Sequence, residues 1–161
     1  MSFMAITQVT SHQADDFTTV ENDGWFPPID LPHMRNAMRL DGTVTGPRLT
    51  QAVIDAILHV NEELSAWKQM QVVAGYLALV DIPASQVNRE SKLMIYYRRA
   101  VYSTAKADLL EKYRDYDSTA SSMADKKSMA YLDEAPGEQR RNAHWAIANL
   151  VGRPQLTVEL I

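Results

Sequence analysis

The stretch from Arg89 to Arg114 contains neither Gly nor Pro, and it constrains the rest of the chain more than any other. An uninterrupted helix over it would be roughly 40 Å long at about 1.5 Å per residue. Two apolar stripes run along such a helix. Leu93, Tyr96, Tyr97, Ala100, Val101, Thr104 and Ala107 share one side, with small residues in the middle where another helix can approach closely. Ile95, Tyr102, Leu109 and Tyr113 form a bulkier stripe on the opposite side, with Arg98, Arg99 and Lys106 between the two. A surface helix needs only one apolar face. Two faces leave two readings open: the middle of a bundle, or one face for the chain's own core and one for a partner.

Charge is distributed unevenly. All 16 Lys and Arg lie at or after Arg35, while residues 1–28 hold Asp15, Asp16, Glu21 and Asp23 and no basic residue. Those four carry the whole formal charge of −4; the other 16 of the 20 acids balance the 16 bases. A neutral body with an acidic arm is unlike a classical DNA binder. No apolar run is long enough to span a membrane, and the N-terminus lacks the regions of a signal peptide. The chain has no Cys, which excludes disulfides and Cys-based zinc sites and fits an intracellular protein.

The rest of the chain falls into three parts: an acidic arm over 1–28, a helical core over 29–153 and a tail over 154–161. Residues 1–24 have no sustained periodicity and are expected to be flexible. Trp25, Phe26, Pro27 and Pro28 make a stiff apolar segment, expected to dock on the bundle or on an adjacent subunit. Asp30 is placed to cap a short helix over about 31–40 that ends at Asp41-Gly42. Thr45-Gly46-Pro47 opens a helix to about Val72, with Leu49, Val53, Ala56, Ile57, Val60, Leu64 and Trp67 on one core face. Gly75 to Asn88 reads as a packed connector leading into the long helix, which ends near Asp117. Residues 118–124 read as a loop tip or a weak helix start, and a last helix runs over about 138–151, stopped by Gly152-Arg153-Pro154. The fold expected is all-α, a bundle of four to five helices around one long central helix. After it, Leu156-Thr157-Val158-Glu159-Leu160 alternates as an extended strand would, with no sheet to join.

Catalytic constellations are missing. His12, His33, His59 and His144 share no metal spacing with carboxylates, Gly42 and Gly46 precede no phosphate-loop Lys, and there is no nucleophile elbow. The pairs Arg98-Arg99, Lys126-Lys127 and Arg140-Arg141 are expected to be solvated. No cofactor and no enzymatic activity are expected.

Short motifs add an identity. Phe26-Pro27-Pro28-Ile29-Asp30 is followed by Met38-Arg39-Leu40-Asp41-Gly42-Thr43-Val44, Pro47-Arg48-Leu49 and Asn61-Glu62-Glu63-Leu64. Then come Ala74-Gly75-Tyr76, Asp81-Ile82-Pro83-Ala84, Tyr96-Tyr97 with Arg99-Ala100-Val101, and Glu111-Lys112-Tyr113-Arg114. Asp125-Lys126-Lys127, Trp145-Ala146 and Gly152-Arg153-Pro154 close the series. In this order and spacing the chain resembles, from about Phe26 to Ile161, the head-completion proteins of contractile-tailed phages of the Peduovirus type, the GpL family. Two departures stand out: the arm before residue 25 is not recognisably shared, and Pro136-Gly137 interrupts what looks like one long helix elsewhere in the family.

The resemblance implies a virion protein of the neck, assembled in the host cytoplasm. It implies a ring of about twelve copies that docks under the portal protein, retains the packaged DNA and offers a platform to tail-terminator or neck proteins. Double-stranded DNA would pass through without sequence-specific binding, and no membrane is involved. The portal grip falls on Arg153, Pro154, Gln155, Leu156, Thr157, Val158, Glu159, Leu160 and Ile161. Ring assembly offers the stripe of Ile95, Tyr102, Leu109 and Tyr113 a partner, so Tyr102→Asp is expected to weaken assembly more than folding. The alternative is a helical DNA-binding module, a regulator or a DNA-packaging recognition subunit, which a salt-dependent gel shift would reveal.

Overall fold

A computed structural model describes residues 18–40, 42–117 and 136–153. The expectations for residues 1–17, the loop near 118–124, Lys126-Lys127 and the tail 154–161 lie outside it. Among the described residues the fold is mostly helical, with five α-helices and two short strand pairs. In chain order these are β1 (Thr19–Val20), β2 (Ile29–Asp30), α1 (Leu31–Ala37), α2 (Gly46–Glu63), α3 (Ser65–Val73), a 3-10 turn (Leu79–Asp81), β3 (Gln86–Val87), β4 (Glu90–Ser91), α4 (Lys92–Asp117) and α5 (Pro136–Val151).

Helix α4 has 26 residues and packs against both α2 and α5 in the two most extensive helix–helix contacts. Every residue from Ala100 to Ala107 is buried, whichever way it points. That all-round burial is the signature of a helix inside a bundle rather than on its surface. Ala100 and Ala105 are fully buried, and their small side chains permit close helix approach. The core joins Val53, Val60 and Leu64 of α2 and its cap to Tyr97, Val101 and Leu110 of α4 and Ala146 and Leu150 of α5.

Element boundaries differ from the sequence expectation at four points. Helix α4 begins at Lys92, not Arg89, because Asn88 and Arg89 have φ of 51° and 62° and form the two-residue turn of the β3–β4 hairpin, with Val87 opposite Glu90. Two successive positive φ values are what a type I′ turn demands. Helix α1 ends at Ala37, with Met38 as its C-cap and Arg39 (φ 53°) closing it, rather than at Asp41-Gly42. There Leu40 N–H donates to Arg35 O at 2.9 Å and Arg39 N–H to Asn36 O at 3.3 Å, a Schellman closure. The long helix expected to reach Val72 is interrupted at Leu64, whose side chain is fully buried. Among the described residues α5 runs from Pro136 to Val151, so Pro136 and Gly137, expected to precede the last helix, lie within it.

The N-terminal boundary also moves. Residues 18–28, expected within the arm, are part of the fold. β1 pairs antiparallel with β2, Thr19 opposite Asp30 and Val20 opposite Ile29. Leu31 N–H donates to Thr18 O at 2.8 Å. Asp30 caps α1 by accepting from His33 N–H at 2.7 Å.

Candidate assembly interface

The segment of Trp25 to Pro28 docks on its own chain. Trp25 and Phe26 are buried (7% and 2% exposed), Pro27 is half-buried and Pro28 exposed. Asp23 begins a tight turn, its carboxylate accepting from the backbone N–H of Trp25 and of Phe26, both at 2.9 Å. That turn aims both rings inward. Phe26 stacks on Tyr97 at 4.6 Å, Trp25 meets Trp67 edge-on at 6.0 Å, and Trp25 Nε1–H donates to Tyr76 O at 3.2 Å. Behind them is a closed polar triangle. Asn22 Nδ2 donates to Tyr97 OH at 2.7 Å, Tyr97 OH donates to Asn61 Oδ1 at 2.6 Å, and Asn61 Nδ2 donates to Asn22 Oδ1 at 2.9 Å. Burial pushes the Tyr97 hydroxyl well above the ordinary phenol range, with the Asn22 hydrogen bond opposing and the Asp23 charge reinforcing. At the rim Lys68 Nζ reaches Asp23 at 2.6 Å and lies over both the Trp25 and Phe26 rings. Burial tends to raise the Asp23 pKa. The Lys68 hydrogen bond, the two backbone donors and the Lys68 charge outweigh it, and the carboxyl stays below its ordinary value.

The stripe expected as a subunit face is covered within the chain at its centre. Tyr102 and Leu109 are 4% and 3% exposed, and Ile95 and Tyr113 are half-buried. Helix α1 and the segment leading into α2 lie across that side of α4. Tyr102 OH meets His33 Nδ1 at 2.7 Å, and Tyr113 OH donates to Thr43 O at 2.8 Å and accepts from Arg48 at 3.3 Å. Burial pushes the Tyr102 hydroxyl up to about 12, the Arg98 charge lowering it and Asp30 and Glu90 raising it. Tyr102 and Leu109 are therefore core, which corrects the expectation of a partner-facing stripe. His33, exposed on α1, is the hydrogen-bonding partner of the Tyr102 hydroxyl.

Apolar surface is exposed elsewhere. Val73 and Leu77 are 87% and 85% exposed, with Met70, Val72 and Val80 also open to solvent. Helix α3 contains no fully buried residue. Its end at Gly75 (φ 99°) is another Schellman closure, Tyr76 N–H donating to Gln71 O at 3.1 Å, and it turns the chain into the apolar connector. A signal for this surface is present in the sequence. Met70, Val72 and Val73 fall off the face that Leu49 to Trp67 share, so they extend the apolar content of the helix without extending its core stripe.

A groove of about 470 Å³ lies between α3 and α5, lined by Ala66, Trp67 and Met70 on one side and by His144, Ile147, Ala148 and Val151 on the other, with Glu63 and Arg153 also on its walls. Arg153 is the last described residue of the segment expected to grip the portal; Pro154 to Ile161 lie outside the described residues.

Two basic side chains of the pairs Arg98-Arg99 and Arg140-Arg141 are held by carboxylates. Arg98 holds Glu90 with two bonds of 2.6 and 2.8 Å, which ties the hairpin to α4 and, despite burial, keeps the Glu90 pKa low. Arg140 bridges α5 to α4 through Glu111 Oε1 at 2.9 Å and Asp108 Oδ1 at 3.1 Å. The same hydrogen bonding lowers the Glu111 pKa. Arg141 lies over the Trp145 ring at 5.5 Å. Among the described residues no group of three or more His, Cys, Asp or Glu is placed to hold a metal ion, and no helix is long and apolar enough to cross a membrane.

Residues 20–161 match the family described as phage head completion protein (GPL). The chain is 36% identical over 155 residues to the head completion/stabilization protein of Escherichia phage P2, covering 96% of this chain and 90% of that protein. No solved structure matches.

Proposed function

The chain belongs to the phage head completion protein (GPL) family, and from that membership we propose that it is the adaptor that closes the filled head: a ring of about twelve copies under the portal, holding the DNA in and presenting a platform to the tail-side proteins. The observation that carries this reading is the match to the P2 head completion/stabilization protein along nearly the whole chain. A role in the phage head as a structural component follows from the family itself.

Ring contacts are expected on the surface left apolar by folding, at Val72, Val73, Leu77 and Val80, and not on the buried Tyr102 and Leu109. The portal grip is assigned to Arg153 and the following tail. Burying Leu156, Val158, Leu160 and Ile161 would contribute roughly 6–12 kcal/mol gross at about 1.5–3 each. Ordering about eight backbone residues costs about 8–16 kcal/mol. One tail therefore binds weakly, and a ring of tethered tails binds strongly through effective concentration. The occupied guanidinium groups of Arg98 and Arg140 suit a passage through which DNA slides, since free phosphate contacts would hold it. They also weigh against the DNA-binding alternative.

Co-sedimentation with portal rings of the same phage, with and without residues 154–161, tests the reading. Binding of the intact chain that disappears with the tail is the expected result. Failure of the intact chain to bind would overturn it, and steep, salt-sensitive DNA binding in a gel shift would favour the DNA-binding module.

A further inference from the structure

The groove between α3 and α5 has the size of a small-ligand pocket, and its walls are apolar over Trp67, Met70, Ile147 and Val151. The chain itself delivers a ligand to it. Helix α5 ends in a Schellman closure at Gly152 (φ 76°), with Gly152 N–H donating to Asn149 O at 3.3 Å and Arg153 N–H to Ala148 O at 2.9 Å. That closure turns the backbone off the helix axis, and Arg153 already lies against the groove. Pro154 follows and cannot extend the helix. The next residues, Leu156, Val158 and Leu160, alternate with polar Gln155, Thr157 and Glu159, so an extended backbone puts the three apolar side chains on one face.

The spacing fits the wall. Neighbouring same-face residues on a strand are about 6.7 Å apart, while Ile147 and Val151, one helical turn apart on α5, are separated by about 6 Å along its axis. A strand lying back along α5 therefore sets Leu156 and Val158 in step with Val151 and Ile147. From Arg153, Leu156 is within about 10 Å of reach. We infer that the α3–α5 groove is the seat of the chain's own residues 154–161 in the free subunit. The tether keeps the segment's local concentration high, so modest intrinsic affinity is enough to fill the seat. The seat goes beyond the portal reading: it is the position the tail leaves when it engages another protein, and it can be tested with no portal present.

The absence of Cys makes the test direct. In the full chain, Met70→Cys is combined in turn with Leu156→Cys, Thr157→Cys and Val158→Cys, and disulfide formation is followed by mass and non-reducing gel. Val87→Cys with the same tail positions is the control; Met70 and Val87 are both about 60% exposed (61% and 62%), so neither change disturbs the core. The expected result is an intramolecular disulfide in at least one Met70 pair, forming at least tenfold faster than its control. Rates equal to the control, or disulfides only between chains, would overturn the seat. A second readout needs no Cys: the Met70 methyl resonance is expected to shift when Leu156 and Val158 are both changed to Asp, and an unmoved resonance would overturn the inference as well.

Discussion

Arg39 holds a φ of 53° with no glycine to ease it. A left-handed conformation costs an L-residue about 1–2 kcal/mol, while Gly costs about 0.5–1 kcal/mol in unfolded-chain entropy. Arg39→Gly is expected to raise stability by about 0.5–1 kcal/mol, read as a higher urea midpoint at unchanged m-value. Tyr97 is the opposite case. Its hydroxyl is the meeting point of Asn22 and Asn61, and Tyr97→Phe leaves both amides short of a partner inside the fold. A loss of about 1–3 kcal/mol in equilibrium unfolding is expected. The titrating groups set the pH limits. Asp23, Glu90 and Glu111 have lowered pKa values in the fold. Their contribution is present above the unfolded carboxylate range, about pH 4, and is lost as pH falls through the lower folded values. Tyr102 is raised to about 12, so its contribution is complete below the unfolded value of about 10 and is lost between there and pH 12. Stability of the wild-type chain is expected to fall across that alkaline window, and the Tyr102→Phe variant to fall less steeply in a pH series of thermal melts.

At the scale of elements, the contrast is between α4 and α3. Helix α4 is enclosed from Ala100 to Ala107, and Tyr102 within it is 4% exposed, so a carboxylate put in place of that ring is cut off from solvent. Tyr102→Asp is expected to abolish the cooperative melt and the helical circular dichroism, through loss of a buried ring and burial of an unpaired carboxylate. This reverses the sequence expectation that the same change weakens assembly more than folding. Helix α3 and the connector behave differently. Val73→Asp or Leu77→Asp alters side chains that are 87% and 85% exposed; the monomer is expected to melt within about 0.5 kcal/mol of wild type, while ring assembly by sedimentation velocity is lost. If both variants assemble normally, ring contacts lie elsewhere.

For the whole molecule, the N-terminal segment acts as a clasp across the bundle. Asn22 to Phe26 touch Asn61, Lys68 and Tyr97, from α2, α3 and α4, and Leu79 N–H donates back to Trp25 O at 2.9 Å. A fold closed this way commits Trp25, Phe26 and Tyr97 inward and leaves its most exposed apolar side chains, Val73 and Leu77, on α3 and the connector. That division suits a subunit that folds first and assembles afterwards.

What the sequence alone determined follows from local chemistry. Pro47 and Asp30 mark helix starts, Gly152 marks a stop, and an unbroken Gly-free and Pro-free stretch makes the long helix, because these signals act within a few residues of backbone. Family membership was also legible, since it rests on ordered motifs and not on contacts. Tertiary structure alone decided what covers each face. Tyr102 and Leu109 are apolar in either reading; only the position of α1 and the turn into α2 makes them core. Trp25 and Phe26 carry no mark in their own sequence that distinguishes docking on this chain from docking on a neighbour; the Asp23 turn and the Tyr97 ring select this chain. Arg39 and Arg89 take left-handed backbone that Gly42 nearby or a helix start would have claimed by propensity, because burial of Leu40 with the Schellman bonds at Arg39, and the β3–β4 pairing at Arg89, outweigh about 1–2 kcal/mol of local preference.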